Sequence, residues 1–327
     1  MGEIFMEQSR KIHKLMASPQ TVHTGFFDAS LRPVLTIESG DTVVMSSMML
    51  MDGQLRGGMT LEELIATRQA YTDRHLGAHT LTGPIFVKGA EPGDALEVRI
   101  QKLVPADCGV NYHWPGRFDR GGLPEDFAEG QIKTLPLDLD KMETTFAPGV
   151  VIPLKPFFGV MGVAPRPGEK RPSAIPDYFG GNMDNKELVP GTTLFLPVIV
   201  PGALFSAGDA HAVQGDGEVN VTAIETAMME AVLQFYVRKD MKIERPMAET
   251  PHHWITMGFH EDLDEAVKIA LRDAIQFLSQ TKGLTLDDSY VLCSLAVDLR
   301  VTQIVDGNKG IHAMIPKAIF KKGTQGT

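Results

Sequence analysis

Residues 83–100 read GPIFVKGAEPGDALEVRI. Two β-rich runs flank the turn Pro92-Gly93, and beyond it Leu96, Val98 and Ile100 alternate with Glu97 and Arg99. Strand side chains point to opposite faces in turn, so this pattern predicts a half-buried strand. Residues 33–45, PVLTIESGDTVVM, repeat the arrangement around Ser39-Gly40-Asp41. Between them, MTLEELIATRQAYTD predicts one helix, with Thr60 as N-cap and Glu63 completing a capping box.

Outward from there the signals change. Over residues 105–190 Gly and Pro recur every few positions, as in PGRFDRGGLPEDF, and long irregular segments of this kind are often functional loops. From Val221, the apolar residues Ile224, Met228, Ala231, Val232 and Phe235 fit one helical face. Residues 262–283, DLDEAVKIALRDAIQFLSQTKG, predict a helix with acids at its start and Gly283 after its end. In LDDSYVLCSLAVD, Asp287 or Asp288 is the expected cap of another. The expectation is an α+β fold: β-rich over the N-terminal two-thirds, sandwich or barrel-like, with helices mainly in the C-terminal third. A boundary near residue 220 would separate residues 1–220 from an α/β region, residues 221–327, packed on it or continuous with it.

Composition narrows the class. The chain has 327 residues, 43% hydrophobic and 22% charged, enough for a sizeable core. Its 31 basic and 41 acidic residues give a net charge of −10 with no basic block, which argues against nucleic acid and anionic membrane as partners. Cys108 and Cys293 are too few for a disulfide framework. The first residues lack an apolar export segment, and Met6 stands where a myristoylation motif needs Ser or Thr. The apolar run LFLPVIVPGALF, residues 194–205, is too short to span a bilayer. A cytoplasmic location is the expectation.

Several familiar chemistries fail on inspection. GDGEVN, residues 215–220, has Asn220 where a dinucleotide loop needs its third Gly. His260-Glu261 lacks the second His of H-E-x-x-H. No G-x-S-x-G elbow or phosphate loop is present, and Cys108 has no nameable activating partner. The informative segment is residues 180–218, GGNMDNKELVPGTTLFLPVIVPGALFSAGDAHAVQGDGE. It sets Asn182, Asp184, Asp209, His211, Asp216 and Glu218 among glycines. On an extended segment Asp209 and His211 share a face, where carboxylate and imidazole are sound metal ligands. The plainer reading is a hydrogen-bonded turn with His211 merely exposed. His79 precedes the Gly83-Pro84 turn, where a lone His is more often structural. Tyr112, His113 and Trp114 either wall a pocket or anchor a loop.

Five segments together carry a more specific resemblance. HTLTGPIFVKGAEPGDALEV, FGGNMDNKELVPGTTLFLPV, PGALFSAGDAHAVQGDGEV, ITMGFHEDLDEAVKIALRDAIQFL and LCSLAVDLRVTQIVDG resemble the acetamidase/formamidase family, in order and over roughly residues 20–320. The chain looks like the shorter, acetamidase-like branch, and departs from the pattern at Thr80, where Pro is expected. The resemblance implies a β-rich oligomeric hydrolase of short aliphatic amides using bound metal. It points residue by residue to His79, Asn182, Asp184, Asp209, His211 and Glu218.

Amide hydrolysis explains why such groups would be needed. A divalent ion lowers the pKa of bound water to about 7 and polarises the carbonyl, and a carboxylate then carries the proton to the leaving nitrogen. On this reading His79, Asp184 and His211 hold the ion, with Asp209 as fourth ligand or orienter of a His. Glu218 or Asp209 is the proton carrier, and Asn182, Tyr112 and His113 bind substrate. Zn²⁺ is the first choice of metal, with room for an additional Ca²⁺ in the acid-rich stretches. The expected partners are a small amide and further copies of the chain, as a homodimer or dimer of dimers. The alternatives are a non-catalytic amide-binding module and a hydrolase of a different C–N substrate.

Overall fold

In the computed structural model, residues 10–321 are described. Strands make up 39% of the described residues and helices 17%. The expected α+β architecture is the one observed, with the two longest C-terminal helices at Leu263–Lys282 and Leu286–Ala296.

Two nine-stranded sheets share one core. The first runs in the order Ile12–Leu15, Thr42–Met45, Met228–Arg238, Ala95–Pro105, Thr193–Pro197, Met247–Glu249, His253–His260, Lys309–Pro316, Asp298–Gln303. The second follows Gly180–Asn182, Phe157–Gly162, Phe205–His211, Glu225–Thr226, Cys108–His113 and Gln131–Pro136. Thr80–Val87 joins it beside Phe205–His211, flanked by Val22–Thr24 and Leu35–Ile37. Each turn-bounded pair seen in the sequence sends one strand to each sheet: Leu35–Ile37 and Thr80–Val87 to the second, Thr42–Met45 and Ala95–Pro105 to the first. The core therefore draws Val43, Val98 and Leu233 from one sheet and Leu81, Val160 and Phe205 from the other. Phe205 and Phe235 meet across it edge to face, 5.1 Å apart. Strands from both sides of residue 220 interleave in each sheet.

The stretch 221–235 is not helical. Glu225–Thr226 and Met228–Arg238 are strands. The ladder to Ala95–Pro105 shifts register between Met228 and Glu230, so Met229 is an extra, bulged residue. That insertion sets buried Met228 and buried Ala231 three residues apart, and Ala231, Leu233 and Phe235 then alternate. Spacings of three and four imitated a helix. The middle of the chain is also less irregular than its composition suggests, with strands at Cys108–His113, Gln131–Pro136, Glu143–Ala147, Val150–Pro153 and Phe157–Gly162.

The helices follow their sequence signals closely. Leu61–Asp73 carries the Thr60/Glu63 capping box. Leu263–Lys282 is capped by Asp262, whose side chain accepts from the Asp264 and Glu265 amides, and it ends on Gly283 in the left-handed region. Ala266, Ala270, Ala274 and Leu278 lie on its buried face and let it approach the first sheet closely. The next helix is capped by Thr285, not Asp287 or Asp288; the Thr285 hydroxyl accepts from the Asp288 amide. No helix among the described residues is long and apolar enough to cross a membrane.

Candidate functional site

The second sheet builds the site. Phe205–His211 delivers Asp209 and His211, two residues apart and both buried. Asp209 adopts φ of 54°, a left-handed conformation uncommon for a residue other than glycine. Such strain persists only where surrounding structure fixes it, and it gathers at functional sites. Asp184 (φ 48°) and Glu218 (φ 43°) share the feature. On one side of the Phe205–His211 strand, Phe157–Gly162 places Gly159 against the cluster. At the strand's C-terminal end, Glu225 pairs directly with His211 in the ladder. His79 arrives at the start of Thr80–Val87, and Asn182 at the end of Gly180–Asn182.

These residues converge. His211 Nε2 lies 3.5 Å from Asp209 Oδ2 and 3.4 Å from Glu225 Oε1. His79 Nε2 lies 3.8 Å from Asp209 Oδ2. His211 Nδ1 lies 3.7 Å from Asp184 Oδ1. Two triplets could each grip one cation, Asp209/His211/Glu225 and Asp184/His211/Glu218, with ligand atoms within 4.8 Å of one another in each. His211 belongs to both.

The supporting groups orient the imidazoles. Gln214 Nε2 donates to the Asp184 carbonyl at 2.8 Å, so its Oε1 faces His211 Nδ1, at 3.0 Å. An amide oxygen only accepts, which places the ring proton on Nδ1 and turns the Nε2 lone pair toward Asp209 and Glu225. Ser173 Oγ stands 3.2 Å from His79 Nδ1 in the same supporting way. Phe157 packs edge-on to His211 at 5.0 Å.

A lone pair facing carboxylates repels unless a proton or a cation lies between. The titration behaviour reflects that demand. Burial works against charge on His211, but Glu225 and Asp209 overcome it and raise its pKa well above the usual value. Burial pushes Asp209 up, and His79 and His211 more than reverse it, holding the carboxyl well below the usual range. Burial, with Asp209 adding to it against the pull of His211, lifts Glu225 to about 7. Glu218 and Asp306 are both raised well above normal, by burial first and then by Asp184. Both Asp184 carboxylate oxygens, Glu218 Oε2, Asp306 Oδ2 and Asn182 Oδ1 are buried without a hydrogen-bond partner among the described residues. Orphaned acceptors at this density are expensive, and a cation or protons would satisfy them.

The cluster opens on a cavity of about 320 Å³. His79, Asn182, Asp209, Glu218, Glu225 and Asp306 contribute to its lining, with Tyr112 and Trp114 as aromatic walls. His113, between those two, faces the other side of its strand and packs edge-on to Phe127. Asp216 pairs with Lys186 at 2.9 Å, outside the cluster. Cys108 is absent from the lining, and burial followed by Asp107 raises its thiol pKa, the wrong direction for a nucleophile.

Glu225 and Asp306 escaped the sequence reading. Glu225 lay in the stretch that imitated a helix. Asp306 stands in the motif QIVDG with nothing beside it to suggest a ligand role.

Fold and site together define a two-sheet protein with a buried imidazole–carboxylate centre at the base of a small cavity. The chain belongs to the Acetamidase/Formamidase family, whose model matches residues 11–170 and 169–322. It is 30% identical to the acetamidase of Mycolicibacterium smegmatis over a stretch covering 43% of this chain and 49% of that protein, so it spans about half the length of that relative. The crystal structure of an acetamidase from Bacillus halodurans superposes with a TM-score of 0.83 at 31% identity, covering 94% of this chain and 99% of that one. An acetamidase from Yersinia enterocolitica gives 0.85 at 28% identity, covering 97% and 95%.

Proposed function

We propose that the chain is a metal-dependent amidohydrolase that cleaves a small aliphatic amide to ammonia and a carboxylate. Membership of the family supports the reaction class. The observation that supports the metal is the convergence of two carboxylates on His211 Nε2, 3.4 and 3.5 Å away. His211, Asp209 and Glu225 would hold the ion, with His79 adjoining through Asp209. A donor set of imidazole and carboxylate suits Zn²⁺ first among common divalent ions. When bound, the ion would supply an acidified water and an electrophile for the amide carbonyl.

The chain's own groups do the rest. Tyr112 and Trp114 keep the amide dry and confine it to the end of the cavity. Asn182, at a strand end and lining the cavity with an unpartnered Oδ1, would hydrogen-bond the substrate. Glu218, whose pKa is lifted well above the usual value by burial and then by Asp184, would give a proton to the departing nitrogen. The protein would work as a homodimer or dimer of dimers within the cytoplasm.

Ammonia release from formamide, acetamide and propionamide, before and after chelation and metal restoration, tests the proposal. Release that a chelator abolishes and Zn²⁺ restores supports it. Release indifferent to chelation removes the metal, and binding without release leaves an amide-binding module.

A further inference from the structure

Two arginines line the same cavity as Asp209 and Glu218. Arg68 comes from the capped helix Leu61–Asp73, and its Nη1 is held by Thr72 Oγ1 at 3.1 Å and the Leu76 carbonyl at 3.3 Å. Arg120 comes from the loop after Gly116–Phe118. That loop is tied to the Glu218 segment, since the Gly122 amide donates to the Val219 carbonyl at 2.8 Å. Seven other arginines of the chain reach a carboxylate. Arg68 and Arg120 have no such partner among the described residues, nor do Arg10, Arg32, Arg74, Arg117 and Arg272; what sets these two apart is that both line the cavity. Burial and then the positive charge of Arg120 lower the pKa of Arg68, so the two guanidinium groups feel each other.

An uncharged amide gives no reason for this pair. Like charges beside one another are unfavourable, and a guanidinium is built to take a carboxylate through two parallel hydrogen bonds. The acidic floor, in turn, would repel an anion. A guest with opposite needs at its two ends fits both. We infer that the cavity takes an amide whose far end carries a carboxylate, with Arg68 and Arg120 receiving that carboxylate and the amide meeting the Asp209–His211 centre. This substrate class rests on the amide-hydrolysis reading above. Tyr112 and Trp114 supply the apolar wall along which a short methylene chain would lie.

The test separates binding from turnover. Titration calorimetry on the metal-loaded wild-type protein compares malonate, succinate and glutarate with propionate, butyrate and valerate, the acids released from the charged and uncharged amides. The expected result is that at least one dicarboxylate binds about tenfold tighter than its monocarboxylate partner, and that Arg68→Gln and Arg120→Gln each erase most of that preference. In parallel, kcat/KM for malonamate, succinamate and glutaramate should exceed that for propionamide, butyramide and valeramide, with the ratio falling toward one in both variants. Equal binding of the two acid series, or a preference that survives both substitutions, overturns the inference. Ammonia from butyramide with no preference for succinamate leaves the hydrolase standing and removes the anion subsite. A dicarboxylate preference lost in the arginine variants, without ammonia from any amide, keeps the subsite and removes the hydrolase.

Discussion

Gly159 faces Asp184 so closely that a Cβ on the glycine would stand 2.4 Å from Asp184 Oδ1. The same point lies 2.7 Å from His211 Cε1 and 2.9 Å from Asp209 Oδ2. The missing side chain is therefore part of the site: it keeps open the space on which three polar residues converge. Gly159 is not in the left-handed region, so alanine there has no backbone objection, only a steric one. Gly159→Ala should lower bound metal and turnover together while the protein still unfolds cooperatively, at an overpacking cost of about 1–3 kcal/mol. Metal analysis and a urea titration on the same preparation check it. Full metal content and full rate in the alanine variant would show that this space is not used.

Separate roles for the carboxylates give a second prediction. His211→Ala and Glu225→Gln should both lower metal content, since both remove a donor from the Asp209/His211/Glu225 triplet. Glu218→Gln should retain metal while kcat falls by about 10² or more, because the shape remains and the proton is gone. A silent Glu218→Gln would move proton transfer to another carboxylate, with Asp209 next in line. Metal retained at full occupancy in Glu225→Gln would transfer the ion to Asp184, His211 and Glu218.

What the sequence revealed about this site has a physical pattern. Asp209 and His211 could be read because strand alternation ties neighbours two apart to one face, whatever the rest of the chain does. Residues that reach the site across sheet partners carry no such local tie. Glu225 meets His211 only through the ladder between Phe205–His211 and Glu225–Thr226, and the bulge at Met229 had already disguised its neighbourhood. Asp306 is brought in by a turn near the chain's end. Likewise the capped helices were legible because a cap is a local device, whereas the dispatch of each strand pair to different sheets is decided by the shared core. That is why Thr60 and Gly283 were found at their posts and the sheet order was not.

Two histidines outside the donor set, His23 half-buried and His312 buried, make acid sensitivity a third prediction. His23 and His312 each have a pKa lowered from 6.5 to about 4, mainly by burial. His312 Nδ1 is held by Thr302 Oγ1 at 2.7 Å. Below pH 6.5 the unfolded chain gains a proton that the folded protein refuses until about pH 4. Stability therefore falls as the pH drops across that window and is fully present above it. At pH 5 each histidine should account for about 2 kcal/mol of lost stability. Urea unfolding at pH 7.5 and pH 5.0 should show a smaller loss in His312→Gln than in the wild type, by about that amount. Equal losses would mean that His312 titrates normally in the fold.

The last prediction concerns the contact that seats the long helix. Gly258 lies in the strand His253–His260, and a Cβ there would stand 2.2 Å from the Ala266 carbonyl oxygen and 2.6 Å from the Ala270 amide nitrogen. Both are backbone atoms, so no side chain can swing aside, and the helix itself must shift. Gly258 has an ordinary backbone conformation, so Gly258→Ala tests the approach alone. The shift would loosen Ala270, Ala274 and Leu278 from Ile311 and Ala313, at a cost of about 1–3 kcal/mol. Removing the helix cap with Asp262→Ala should cost about 1 kcal/mol by a different route, since it leaves the Asp264 and Glu265 amides unsatisfied without moving the helix. The site lies on the other sheet, so turnover per folded molecule should be unchanged in both variants. A Gly258→Ala protein as stable as the wild type in urea would mean that the helix rides over the sheet with room to spare.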